Sequence, residues 1–477
     1  MSKKKIIYCS LLIILAILSI SGVYYFNKEK KNDNKIKSNN NLAIMIKRDG
    51  TNSYFSSNSI PVGDYVLNEE KTICENGGKV KSYDSSTGKI GFSFLGSDRC
   101  TFYFDALKPL AWKKILNDNG GNNVIVAKGT PDFSKIANDG GGLFRTTDDL
   151  GFSYYFRGFV KNNWVKFGKY TSDYVRYRGY DDSNSTSYKE YDTLSECNES
   201  DTYNYNCSAY YYGKTGDDMY WRIIRINGDN SIRMIYTGTK APSNNTLFVM
   251  TGDNTSIGFS KYNAEYGNSE NVGYKYTNSQ QHGYGESSTI KTHLDNWYKI
   301  TSLETDALTK ALIADEIFCN DRNVSTDTWT SSKHTNYAAY VRLNTNKTPS
   351  LLCSTFNDRF TVTSETGNKS LSYPVGLITA DEVSMAGATY TDANSDYYLY
   401  NGASYWTMSP GAYNGLYFYS SVFTILSSLS MSSLVETSGV RPVINLTSFD
   451  RLITGRTPEV STKELILKLD KIVKTLL

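Results

Sequence analysis

At 477 residues, 21% of them charged and with a formal net charge of only +3, the chain is long enough for two or three domains and has no strongly basic overall balance. The positive charge belongs to one end. Residues 1–50 hold ten Lys or Arg against three acids and the remainder holds 41 against 45, so the body lacks the broad positive face that phosphate binding needs, and no nucleic acid is expected as a partner.

The chain opens with Met-Ser-Lys-Lys-Lys, after which Ile6 to Phe26 contains no charged side chain. At about 1.5 Å of rise per residue this stretch covers roughly 30 Å, the hydrocarbon thickness of a bilayer. Two readings compete. A retained transmembrane helix explains why the apolar run continues through Val23-Tyr24-Tyr25-Phe26 into an aromatic belt; a cleaved signal peptide explains Ser19 and Ser21 at small-x-small spacing. Both place the body outside, and the longer run favours retention, so the expected localisation is a single-pass cell-membrane protein with an extracellular body. The lysine count runs against that orientation, since Lys28, Lys30, Lys31, Lys35 and Lys37 follow the segment. Cys9 lies inside the apolar run rather than after it, which is the wrong place for a lipoprotein cysteine. Residues 1–41 are read as anchor plus a polar stalk from Lys28 to Asn41.

Residues 42–105 hold short apolar runs separated by Asn-Gly-Gly and Ser-Thr-Gly turns, the pattern of a small all-β module. Beyond Cys9 the cysteines are Cys74, Cys100, Cys197, Cys207, Cys319 and Cys353. Six cysteines allow fifteen connectivities; pairing within each local unit predicts Cys74 with Cys100, Cys197 with Cys207 and Cys319 with Cys353, with buried thiols as the alternative. None has the C-x-x-C spacing of a zinc ribbon or a dithiol redox site. Residues 106–150 read as a linker with one short helix near Ala111 to Leu116. Its Asn119-Gly-Gly and Asp139-Gly-Gly-Gly stretches lack the residues of a phosphate loop.

A large domain over 151–450 follows, with an insertion over 171–217 crowded with Tyr, Ser, Asn and Asp. Asp182-Ser-Asn-Ser-Thr-Ser within it lacks the glycine and the distal glutamate of a calcium loop. Met219 to Gly228 and Ser231 to Tyr236 form a hairpin pattern around Asn227-Gly228. Ile290, Leu294 and Trp297 share one helical face behind a Ser/Thr cap, a second helix is expected over Glu304 to Ala314, and Ala380 to Ala386 forms a helical turn ended by Gly387. Over 451–477 a C-terminal amphipathic helix is expected, Leu465, Ile466, Leu469, Ile472, Val473 and Leu476 forming a stripe suited to docking on the body, to self-association or to an anionic membrane.

Five blocks in this order, Trp221-Arg-Ile-Ile-Arg-Ile, Ser288-Thr-Ile-Lys-Thr-His-Leu-Asp-Asn-Trp-Tyr, Gly376-Leu-Ile-Thr-Ala-Asp-Glu-Val, Tyr405-Trp-Thr-Met-Ser-Pro and Gly439-Val-Arg-Pro-Val-Ile-Asn-Leu, resemble an uncharacterised domain of surface proteins from low-GC Gram-positive gut bacteria. That domain in turn resembles the C-type-lectin-like fold shared by formylglycine-generating enzymes and the receptor-binding tips of some phages. The match covers about residues 152–450. It implies an α+β class, a mixed lectin-like domain with long loops and with Gly439 to Leu446 returning beside the early strands, which follows the small β module and the transmembrane helix read from the residues.

The resemblance brings no chemistry with it. There is no Cys after Cys353 to match the late copper ligands of the oxidases, and no Glu-Pro-Asn or Trp-Asn-Asp triplet to match calcium-dependent sugar binding. His282, His293 and His334 are isolated, His293 reading as a surface or half-buried helical residue, and no nucleophile elbow or zinc-protease motif occurs. Asp381-Glu382 suits a helix cap better than a shared proton. Trp406 reads as core and Arg441 as a donor to buried carbonyls. Hence no catalytic residue, cofactor or metal ligand is singled out. The ligand face is placed on Tyr413, Asn414, Tyr417 and Tyr419, between the two late blocks. The reading is adhesion or recognition of a glycan or of a host or bacterial surface protein, with an envelope enzyme of unknown reaction or a purely structural surface protein as alternatives.

Overall fold

A computed structural model describes residues 42–47, 54–62, 65–93, 98–106, 111–137, 141–183, 185–241, 255–325, 328–416 and 419–447. The chain divides into two compact units, Met1–Pro109 and Leu110–Leu477.

Among the described residues the first unit holds the strands β1 (Leu42–Lys47), β2 (Tyr54–Ser57), β3 (Tyr65–Leu67), β4 (Ile73–Cys74), β5 (Lys79–Asp84), β6 (Lys89–Ser93) and β7 (Cys100–Ala106). Alternation decides its core. Ile44 and Ile46 of β1 point the same way and meet Phe102 and Phe104 of β7, their partners in a parallel register, with Leu67 of β3 alongside. The sheet runs β2, β1, β7, β3, with β4 also on β7. The β5–β6 hairpin brings Tyr83 onto Phe104 at 4.9 Å between ring centres, and Asp98 accepts the backbone N–H groups of Asn76 and Gly78. The disulfide Cys74–Cys100 joins β4 to β7.

The second unit continues with β8 (Gly142–Asp148), β9 (Gly151–Arg157), β10 (Trp164–Lys169), β11 (Tyr174–Tyr180), β12 (Tyr188–Tyr191), β13 (Tyr205–Gly213), β14 (Asp218–Ile226), β15 (Ile232–Gly238) and β16 (Phe259–Lys261). Its main sheet runs Ile313–Ala314, Val443–Leu446, β15, β14, β9, β8, with β10 also on β14. From Met219 onward β14 is buried on both faces, which accounts for its near-continuous apolar run. The closing strand Val443–Leu446 lies antiparallel to β15. Trp221, Tyr236 and Trp297 pack edge to face behind this sheet, Trp221 Nε1 donating to Phe167 O and Trp297 Nε1 to the Tyr170 hydroxyl. A second sheet runs β16, Thr437–Gly439, Tyr405–Asn414, Tyr419–Ile425, Leu429–Ser433, and β12, β11, β13 form a third, three-stranded sheet.

The β14–β15 hairpin turns where Asn227-Gly228 predicts, but the positive φ falls on Asn230, at 72°. Gly228 is required for another reason: a Cβ there would stand 2.3 Å from Gly151 N and 2.5 Å from Asp148 Oδ1. Trp406 is buried with its Nε1 on Ser260 O, and Arg441 donates to Tyr236 O and Leu399 O, the structural roles read from the sequence.

Three expectations are corrected. The fold is β-rich rather than a mixed α+β one, because the connections expected as long loops hold many short strands while the helices stay few and brief. The single-pass membrane localisation is not upheld: among the described residues no helix is long and apolar enough to cross a membrane, and Thr289–Lys299 has only 11 residues, about 16 Å. Ile6–Phe26, the stalk, and the stripe at 465–476 lie outside the described residues. Residues 106–150 are more than a linker, since they hold helices Ala111–Asp118 and Gly121–Ala127 and strand β8, with Ile115 and Ile125 in the main core.

All three predicted disulfides are present, Cys74–Cys100, Cys197–Cys207 and Cys319–Cys353. In a small sheet the first matters most. Closing its 26-residue separation restricts the unfolded chain by about 3.5 kcal/mol on a chain-entropy basis. Replacing Cys74 and Cys100 together by Ala is expected to lower the stability of the first unit by ~3 kcal/mol, read by hydrogen exchange at β1 and β7, while exchange at β14 and β15 stays unchanged.

Candidate functional site

The sequence places a ligand face on the hairpin of strands Tyr405–Asn414 and Tyr419–Ile425, and the fold does not assemble it. Tyr413 is fully buried and its hydroxyl donates to Gly267 O. Consecutive strand residues point to opposite faces, so Asn414 cannot join it on one surface. Asn414 is half-buried, accepts the Leu416 N–H, and lines a hollow of about 570 Å³ with Asn336, Tyr340 and Met431. Tyr419 pairs with Asn414 through its backbone; its side chain and all of Tyr417 lie outside the described residues. High tyrosine content here marks interior strand as much as surface.

Two other places concentrate polar groups. One is a largely buried charge cluster behind the main sheet. Thr379 caps helix Ala380–Ala386 in a capping box with Glu382, whose Oε2 accepts the Thr379 N–H. Its other oxygen receives Arg225 Nε at 2.9 Å and forms an ion pair with Arg233, whose Nε stands 2.6 Å away, and Arg225 also donates to Asp148 at 2.6 Å. Burial would push Glu382 up, but Arg233 and Arg225 outweigh it and hold the carboxyl below its ordinary value. Arg342 spans Asp321 and Asp381, so neighbouring Asp381 and Glu382 serve different cations rather than sharing a proton. Glu316 faces the same cluster. Burial and then the charge of Asp229 push its carboxyl from 4.5 up to about 9, so it is neutral near pH 7. The space among these groups is about 40 Å³, room for a few waters and too little for a sugar ring or a peptide side chain.

The second place is an open cleft of about 820 Å³ in the same unit, between the three-stranded sheet and helix Thr289–Lys299. In β11 Arg176 and Arg178 stand two residues apart, so they share the inner face. Glu190 of β12 stands opposite Arg178 in register, with no exposed side-chain surface. Its Oε1 accepts Arg178 Nε at 2.8 Å and the Tyr212 hydroxyl at 2.5 Å, and its Oε2 accepts Phe259 N at 2.9 Å. Gly258 makes this approach possible. It sits at φ +113°, and a Cβ would come within 3.0 Å of Glu190 Oε2 and 3.3 Å of Arg176 Cγ.

The opposite wall comes from the helix. Ser288 caps it by accepting the Lys291 N–H, and its exposed turns present Thr289, Thr292 and Asn296 to the cleft beside His293. His293 is buried, not at the surface, with Nε2 3.3 Å from both Ile257 O and the Tyr174 hydroxyl. A carbonyl can only accept, so Nε2 carries the proton. Burial, aided by the charge of Arg176, lowers this imidazole from 6.5 to about 3, and it stays neutral at physiological pH. Tyr191, Phe259 and Val435 add apolar surface, while Lys189, Lys261, Glu196 and Glu436 stand around them. Hydroxyls, amide, aromatic faces and mixed charge suit a polar, hydroxyl-rich ligand.

Elsewhere, His282 Nδ1 contacts Asp358 at 2.9 Å, but that carboxylate also receives the Arg322 backbone N–H and Nε, which makes it a structural hub. Asp182 and Ser183, from the faint calcium pattern, line a shallow hollow with Asn206 and Ser208. Sequence reasoning missed the cleft because its walls come from β11, β12, Phe259 and the 289–299 helix, segments joined only by folding. The i, i+2 spacing of Arg176 and Arg178 in one strand was the one local sign of a charged inner face.

No family model matches the chain, no curated protein matches it, and no solved structure matches its fold.

The charge cluster makes stability depend on pH. Glu316 has a folded pKa above its unfolded value, so its contribution is complete below about 4.5 and is lost as pH rises toward about 9. Glu316→Gln is expected to remove that decline and to exceed the wild type by ~1–3 kcal/mol at pH 8, with little gain at pH 4. Denaturant unfolding at the two pH values measures it, and parallel profiles would contradict the assignment.

Proposed function

We propose that the chain is a recognition protein whose large domain, lectin-like in the order of its sequence blocks, binds a glycan in the cleft beneath the three-stranded sheet. The cleft itself carries this reading. It is an open space of about 820 Å³ whose walls offer Thr289, Thr292, Asn296 and Ser260 for hydroxyl groups, and Tyr191 and Phe259 for the apolar faces of sugar rings. The ligand face is accordingly moved from Tyr413–Tyr419 to this cleft.

An enzyme reading has one observation in its favour, the raised pKa of Glu316 beside Asp229, the kind of perturbation that marks acid catalysts. The space beside it, about 40 Å³, admits no substrate of that size, and the surrounding arginines are spent on Asp148, Asp381 and Glu382. The disulfides agree with work in oxidising surroundings.

Thr292 is exposed on the helix wall, so Thr292→Trp fills the cleft without touching the core. Wild type applied to a glycan array is expected to bind a restricted set of glycans, and T292W to lose at least tenfold of that binding while its unfolding transition stays unchanged. Equal binding by the two proteins, or none by the wild type, would defeat the proposal.

A further inference from the structure

Among the lining groups of the cleft, the ion pair between Arg176 and Asp192 has a lopsided exposure. The Arg176 side chain is 6% exposed and the Asp192 side chain 71% exposed. A guanidinium buried to that extent needs a countercharge. Its other contacts are neutral or distant: Nη2 lies 3.4 Å from Phe259 O, Nε lies 3.8 Å from Glu190 Oε2, and the neutral Tyr174 hydroxyl stands beside the guanidinium. Glu190 is already engaged by Arg178, Tyr212 and Phe259 N, and neither Nε nor Nη1 of Arg176 has a well-directed hydrogen bond. His293 next to it stays neutral and gives no charge of its own.

Asp192, in contrast, follows the last residue of β12 in a bend and can return to water at little cost. We propose that Asp192 is a placeholder, and that the cleft takes a glycan bearing a carboxylate, such as a uronic or sialic acid, which displaces Asp192 and pairs with Arg176. This inference rests on the reading of the cleft as a glycan site. An Arg fork matches a carboxylate in two parallel hydrogen bonds, which a hydroxyl cannot reproduce. Displacing Asp192 leaves the buried cation with only the distant Glu190 carboxylate, which Arg178 already shares, until a ligand carboxylate replaces it, so the exchange favours an acidic sugar over a neutral one. Phe259, whose backbone already touches Arg176 and Glu190, supplies an apolar wall for the sugar ring beside the charge.

The test compares wild type, Asp192→Asn and Thr292→Trp, as full chains, on an array carrying matched neutral and carboxylated glycans. Wild-type binders are expected to be predominantly carboxylated. Asp192→Asn, relieved of its internal competitor, is expected to bind them five- to tenfold more tightly with no gain for neutral glycans, and Thr292→Trp is expected to lose at least tenfold of its binding to both. Wild-type binding of neutral glycans alone, or unchanged affinity in Asp192→Asn, overturns the inference while leaving the glycan site standing. Wild-type binding to no glycan overturns both.

Discussion

Glu382 is the group on which the large unit depends. Its carboxylate is buried, and it is held there because two cations from adjacent strands, Arg225 of β14 and Arg233 of β15, converge on one of its oxygens. Removing such a carboxylate would leave two buried guanidinium groups underpaired, a loss on the order of 3–5 kcal/mol. The pairing reaches across 157 residues of sequence and fixes helix Ala380–Ala386 against the main sheet from its first turn. At the other end of that helix Arg157 of β9 donates to the carbonyls of Ser384 and Met385, where the helix dipole favours a cation. Both ends of one short helix are thus locked electrostatically to strands of one sheet.

The cleft follows from the same rule applied at a surface. Three strands make a marginal sheet, and on the inner face β11 and β12 carry Arg176, Arg178 and Glu190 and β13 the Tyr212 hydroxyl, rather than apolar side chains. They are held by Arg178, Glu190 and Tyr212 bonded to one another, by Phe259 N reaching Glu190, and by the Cys197–Cys207 disulfide. A charged inner face cannot close down into a dry core, because its groups would lose water without enough partners. It leaves space instead, and the space is lined by what the opposite wall happens to present.

How much of this the sequence announces depends on the range over which each signal acts. The Asn227-Gly228 hairpin, the Ser288 cap, the helix at Ala380 and the three disulfides are local, set by residues within a few positions or within one unit, and they are legible. Residues 111–148 misled beyond their first helix because Gly-rich, Asp-rich composition hides helix Gly121–Ala127 and an edge strand whose apolar residues are few and widely spaced. Tyr413 misled because a tyrosine whose hydroxyl finds a backbone carbonyl, here Gly267 O, is as content inside as outside. Neither Arg176 nor His293 stood out, since the cleft they share exists only once β11 folds against the 289–299 helix.

Burial separates the two polar regions by what each can do. Around Glu382 the charges are matched internally, the remaining volume is that of a few waters, and each arginine already holds its carboxylates. Such a cluster stabilises one arrangement and has nothing left to offer a ligand. In the cleft the matching is incomplete, because Arg176 leans on a carboxylate that water could claim. Binding energy is available only where the free protein leaves an interaction unmade or easily exchanged. By that criterion the larger and more charged of the two clusters is scaffold, and the single arginine beside Asp192 is where specificity has room to arise.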